Sequence, residues 1–397
     1  MSFGLLFEDS LSSKHKGGAM NCLVFVLNLA LLLYGGSLRA FYLDKMSSMP
    51  CQQKEHFPRD FDMRKHFSLV RPTFGRENIS TDPLALQQVV RDAQIFFKRY
   101  GKTHKAVMAP QPFSTQILSY KKTVDTLAFI DQVIEEDKES GVFRIHDPAF
   151  LEQNFGFIAW RPDREAAHKF GHMAVNDRKI RLTSYVIYRA TGSYEKTSEH
   201  SCALYQLVNS KKRISLTKQE ILQGALEEDP QLMANVKPLA WVSPATLEEA
   251  MLQGTVLLSM TDGQERAFTV NLSNGHKFDS QLRNLSKQKI YWFFLERKNK
   301  NDVRALIDRS SRRKGVVFAG DLYALGLGKI VAIQYFNKKT RRRELRLGVL
   351  GDTGSAFDKN LYHLDLFGGI ISDKHELRSY LSNFPPAVKA FIVYKKS

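Results

Sequence analysis

The chain has 397 residues, 43% hydrophobic, 25% charged and 11% aromatic, a balance that excludes wholesale disorder and a protein built of many membrane spans. With 58 Lys and Arg against 41 Asp and Glu the formal charge is +17, which points to a polyanionic partner: nucleic acid, acidic lipid or the bacterial wall. The three cysteines, Cys22, Cys51 and Cys202, form no CxxC and no Cys/His spacing, so no disulfide framework or zinc cluster is implied.

In chain order, Lys14 and Lys16 precede an apolar run from Cys22 to Tyr34, and Gly35, Gly36, Ser37 and Ala40 follow it. That order of basic, apolar and small residues, with a run too short to cross a bilayer comfortably, predicts a secretory signal peptide over residues 1–40. An uncleaved anchor is the alternative. Residues 41–81 mix Ser, Pro, Gln, Lys and Arg without periodicity and read as a linker. From Pro83 to Tyr100 apolar residues recur at helical spacing, as they do from Leu118 to Glu135, and Asp147 to Phe155 reads as a third, shorter helix.

Beyond Arg178 the texture turns β-branched and aromatic. Strands are expected at Lys179–Arg189, Cys202–Val208, Thr255–Met260, Arg266–Leu272, Val316–Phe318, Ile330–Phe336, Leu345–Leu350, Tyr362–Leu366 and Ala390–Tyr394. Thr261-Asp262-Gly263 is a hairpin signal, because Asp-Gly accepts the positive φ of a tight turn. Short leading helices followed by many short strands predict a mainly β, α+β protein with a β-barrel, not a doubly wound α/β sheet.

Several features suggest chemistry and are assigned plainer roles. Gly326-Leu327-Gly328 lacks the third glycine of a phosphate-binding loop and reads as a turn. The basic tracts at residues 312–314 and 338–343 read as solvated hairpin tips, since an exported protein seldom meets nucleic acid. His168, His172, His276, His363 and His375 fit no ligand or triad spacing and read as surface or packing residues.

The carboxyl-terminal segment carries more. Leu345 to Leu350 runs into Gly351-Asp352-Thr353-Gly354-Ser355-Ala356, and Tyr362-His363-Leu364-Asp365-Leu366-Phe367-Gly368-Gly369 follows. The two aspartates lie 13 positions apart, each at the end of a short apolar strand, and can converge across a small barrel. Here the chain resembles the membrane-bound lytic transglycosylase A family with its three-aspartate barrel domain. In that family one strand ends in Asp-Thr-Gly-Gly-Ala, and a second carries the catalytic aspartate before aromatic residues and Gly. Ile180 to Val186, Thr217 to Ala225, Leu239 to Val242, Leu252-Gln253-Gly254, Tyr291 to Phe294 and Tyr323 to Ala332 resemble further family segments in order and spacing. Ser184, Val186, Thr255 and Ser355 depart from it.

The resemblance implies a double-psi-type β-barrel catalytic domain over residues 82–190 and 291–397, interrupted by a β-rich insert domain at 191–290. It implies a lytic transglycosylase that cleaves the β-1,4 bond between N-acetylmuramic acid and N-acetylglucosamine and leaves a 1,6-anhydro end, without metal or cofactor. Asp365 is then catalytic, with Asp352 beside it. Thr183, Tyr185, Gln253, Gly254, Thr353 and Gly354 are the expected substrate contacts. One carboxyl suffices because the substrate's own C6 hydroxyl replaces the water or enzyme nucleophile of a hydrolase. Asp352 has a structural alternative, tied to the backbone of its own turn. The implied partner is peptidoglycan glycan and not nucleic acid, in a periplasmic or outer-membrane-associated location. A non-catalytic wall-binding or scaffold protein of the same fold is the competing reading.

Overall fold

The structure, a computed structural model, describes residues 65–101, 119–209, 212–279, 282, 284–297, 300–354, 357 and 360–397. The expected signal peptide, the linker up to residue 64, Cys22, Cys51, Ser355 and Ala356 lie outside the described residues.

The linker reading fails at its end. Phe67–Val70 is a strand (β1) and Asn78–Ile79 a second (β2). Four residues show no alternation to detect, yet Phe67 is buried and its ring lies 5.7 Å from that of Trp160.

The leading helices form as expected. Helix α1 (Pro83–Tyr100) starts where Asp82 accepts the Ala85 N–H and Pro83 fills the first turn, and it buries Leu86, Val89, Val90, Ala93, Phe96 and Phe97. Helix α2 (Tyr120–Asp137) packs on it and buries Leu127, Ile130, Val133 and Ile134. Arg91 of α1 reaches Asp131 at 2.7 Å and Glu135 at 2.5 Å across that contact. Asp147 caps α3 (Pro148–Asn154), which leads directly into β3 (Phe155–Trp160).

Eleven further strands follow: β4 (Ile180–Gly192), β5 (Cys202–Leu207), β6 (Val236–Val242), β7 (Thr255–Met260), β8 (Glu265–Ser273), β9 (Trp292–Glu296), β10 (Val317–Ala319), β11 (Ile330–Asn337), β12 (Arg342–Asp352), β13 (His363–Ile371) and β14 (Ala387–Lys395). Between them lie helices α4 (Pro244–Gln253), α5 (Lys300–Arg313) and α6 (Lys374–Leu381). Twelve strands form one sheet, while β5 and β6 pair apart from it. The molecule is thus a sheet-rich mixed α/β protein. Along the pairings β4–β14, β14–β11, β11–β12, β12–β10, β10–β13 and β13–β4, the ladder returns to the strand it left.

Two hydrophobic clusters organise the interior. One joins α1, α2 and the strands of that ring, and the other gathers residues from Cys202 to Phe294. Strand β4 belongs to both: its first part pairs with β13, and Tyr188 to Gly192 pairs with β7.

The remaining turn expectations divide. Gly263 stands at φ +76° between β7 and β8, and the 338–341 segment is an exposed tip between β11 and β12. Gly326 and Gly328 form a turn with positive φ, and at Gly328 a Cβ would meet the Phe97 ring at 2.5 Å. The 312–314 tract is no hairpin tip. Arg313 ends α5 buried and paired with Asp92 at 3.2 Å, a partner 221 residues away that local charge counting does not reveal. Among the described residues no helix is long and apolar enough to cross a membrane.

Candidate active site

Strand β10 is the midline of the site. Ala319 is the register partner of Asp352 on one side, in a parallel pair, and of Asp365 on the other, in an antiparallel pair. Register partners project to the same face of a sheet, so the two carboxylates share one face two strand spacings apart, on the order of 10 Å between backbones. The convergence expected from their sequence positions is therefore built by the ladder itself.

Beyond Asp365 the next strand is β4, whose Thr183 is the parallel partner of Asp365. The Thr183 hydroxyl donates to Asp365 Oδ1. His363 Nε2 lies 3.0 Å from the same oxygen and 2.5 Å from Thr183 Oγ1. The Asp365 side chain keeps 17% of its surface open, whereas that of His363 keeps 6%. The Phe357 ring covers the imidazole at 5.1 Å. One carboxylate oxygen is thus clamped by two neighbouring groups.

Positive charge stands behind this cluster. Arg181, the register partner of His363, is pulled below its ordinary basicity by burial, while the Asp365 carboxylate acts against that fall. The Arg181 guanidinium donates to His172 Nε2 at 2.9 Å. Burial, helped by the charges of Arg181 and His363, pushes His172 down to about 4, so the ring is neutral near pH 7 and accepts.

Asp352 is tied more tightly than Asp365. It is 7% exposed, its Oδ1 accepts the Thr353 N–H at 2.8 Å, and the Tyr185 hydroxyl hydrogen-bonds to it. Burial first, then the Asp352 charge, raises the Tyr185 phenol well above its usual range, so Tyr185 is the donor in that bond. Its ring packs on Phe367 at 5.1 Å.

The expected substrate contacts fall into two groups. Thr183 and Gly354 are half-buried on the carboxylate side of the fold. Tyr185 and Thr353 are buried, and Thr353 Oγ1 has no hydrogen-bond partner among the described residues. Gln253 and Gly254 play a different part from the one expected. The Gln253 side chain is 6% exposed and its Oε1 accepts the Val186 N–H at 3.1 Å, which clamps the end of α4 onto β4. Gly254 caps α4 at φ +81°. These two residues hold a strand in place.

Sequence reasoning missed His363 and Arg181. A signal was present for His363, since residues i and i+2 of a strand share a face and His363 stands two before Asp365. Among the described residues no group of three or more His, Cys, Asp and Glu can hold a metal ion.

No family model matches the sequence, and no curated protein does. Solved structures do match. The fold is similar to that of the membrane-bound lytic murein transglycosylase of Agrobacterium tumefaciens, with a TM-score of 0.53 and 14% identity over 83% of this chain and 97% of that one. It is similar also to E. coli MltA solved with bound chitohexaose, with a TM-score of 0.54 and 14% identity over 85% of this chain and 97% of the other. At that identity the likeness is one of fold.

Proposed function

We propose that this protein, which shares its fold with the MltA lytic transglycosylases, is itself a peptidoglycan lytic transglycosylase, with Asp365 as acid and then base. The observation that carries the reading is the clamp on Asp365: Oδ1 is held by the Thr183 hydroxyl and faces His363 at 3.0 Å. That leaves Oδ2 as the oxygen to carry the proton. Asp365 protonates the glycosidic oxygen between N-acetylmuramic acid and N-acetylglucosamine, and its carboxylate then takes the C6 hydroxyl proton as the 1,6-anhydro ring closes. No water nucleophile is needed. Asp352, held by Tyr185 and its own turn, stands two strands away.

The ring of pairings is read here as a double-psi-type barrel, assembled from residues 82–190 and 291–397, with the second core as its inserted domain at 191–290. Thr183, Thr353 and Gly354 are the residues of this chain best placed to meet glycan, and export by residues 1–40 to the periplasm or outer membrane completes the reading. Mature chain beginning between Ser37 and Tyr42, found by amino-terminal sequencing, is the expected result for that last point.

The scaffold reading has one observation of its own: Tyr185, Gln253 and Gly254, three expected glycan contacts, are buried. Incubation with purified sacculi, followed by mass spectrometry, separates the two. Anhydromuropeptide products establish the enzyme. Retention on sacculi without any such product establishes the scaffold.

A further inference from the structure

A second concavity lies on the face formed by β1, β3, β14 and β11, with a volume of about 570 Å³. That is the size of an ordinary ligand cleft. Its floor is apolar, with Ala159 and Phe391 paired across β3 and β14. Its charged groups are mostly cationic: Arg161 from the end of β3, Arg178 from the turn before β4, and Lys389 from β14.

None of the three makes an ion pair among the described residues, and all three are exposed. The carboxylate in the lining, Asp177, is already paired with Arg164 at 3.0 Å. Behind the lining, the buried Glu77 lies within electrostatic reach of Lys389 and accepts its hydrogen bond from Gln334. The antiparallel β14–β3 ladder ends at the pair Ala390 and Trp160, so Lys389 and Arg161 both adjoin its last pair. Two cations at one end of a ladder beside a third, around an apolar floor, suit an anionic ligand with short aliphatic segments.

We propose that this cleft binds the acidic peptide stems of the cell-wall polymer through their carboxylates, holding the strand while its glycan is processed elsewhere on the molecule. The choice of peptide stem among polyanions rests on the lytic transglycosylase reading. The three cations call for an anionic occupant independently of that reading.

The test uses the full chain carrying Asp365→Asn, so that no turnover intervenes. Calorimetric titration with the tripeptide L-Ala-γ-D-Glu-meso-diaminopimelate should show salt-sensitive binding. Arg161→Ala and Lys389→Ala should each weaken it about tenfold, as expected for a lost charge-assisted hydrogen bond. Peptide-free glycan should bind the same before and after these changes. Lys389→Glu guards against simple loss of folding, because the position is exposed: the melting temperature should hold while the peptide is lost. Unchanged affinity in Lys389→Glu, or equal binding of the tripeptide with its carboxylates amidated, overturns the inference. Cation-dependent peptide binding in a protein that makes no anhydro product from sacculi overturns the lytic reading and leaves the cleft standing. Lysis without peptide binding does the reverse.

Discussion

Thr183 and Asp365 are register partners on the parallel strands β4 and β13, and the Thr183 hydroxyl donates to the Asp365 carboxylate. The two residues are 182 positions apart in sequence, and the ladder makes them nearest neighbours on one face. The orientation of the carboxyl group is therefore a property of the sheet, not of a loop.

Asp365→Asn keeps the shape of the side chain, and its amide oxygen still accepts from Thr183, but it has no proton to give. Anhydromuropeptide release from sacculi should fall by about 10²–10⁴-fold, the usual contribution of a positioned general acid. The thermal melt should be nearly unchanged. Near-normal release would remove Asp365 from the mechanism.

Thr183→Val is almost isosteric and deletes only the hydroxyl. A hydrogen bond to a charged group contributes about 1.5–3 kcal/mol, so turnover should fall about 10–100-fold, with the loss in kcat more than in KM. Thr183→Ser should recover most of it. His363→Gln should be milder than His363→Leu for the same reason. Equal kinetics for Thr183→Val and wild type would show that the clamp does not orient the acid.

Gln253→Ala should act on stability and not on glycan affinity. It leaves the buried Val186 N–H without its acceptor, which costs about 1–3 kcal/mol. The urea midpoint should drop accordingly, while retention on insoluble peptidoglycan, measured well below the melting temperature, stays constant. Lost retention with an unchanged midpoint would return Gln253 to the glycan groove.

Lys329 is buried on β11's approach and donates to Thr123 of α2, and burial lowers its amine from 10.5 to about 7. The folded state therefore binds fewer protons than the unfolded state between about pH 7 and 10.5. Stability linked to this group rises with pH across that window, by up to about 1.4 kcal/mol per pH unit, and the full penalty is felt below it. Lys329→Met should remove that slope and raise stability at pH 6–7. Denaturant titrations of both proteins across the window measure the difference, and parallel curves would contradict it.

The parts of this fold legible in sequence are those whose signals are local. Helix α1 was readable from end to end because Asp82, Pro83 and an unbroken apolar spacing all agree. The β7–β8 hairpin was readable because Asp262-Gly263 admits one turn. Helix α5 was not: among its 14 residues Val303 and Leu306 are the buried apolar ones, too few to set a period. The two aspartates stood out because each was expected at the end of a short apolar strand; Asp352 does end β12, whereas Asp365 lies near the start of β13. That Thr183 and Tyr185, expected as substrate contacts, hold these aspartates was not legible, because the strands that bring them together are remote in sequence. His363 sat beside Asp365 all along, and a histidine read singly looks like packing.

Strand β4 runs without interruption from the first hydrophobic cluster into the second, bonded to β13 along one part and to β7 along the other. An unbroken strand resists bending across its ladder, because flexing it means breaking inter-strand bonds on both sides of the flex point. At this crossing the two halves of the molecule behave as one girder. The angle between the two clusters at this strand is then set when the chain folds.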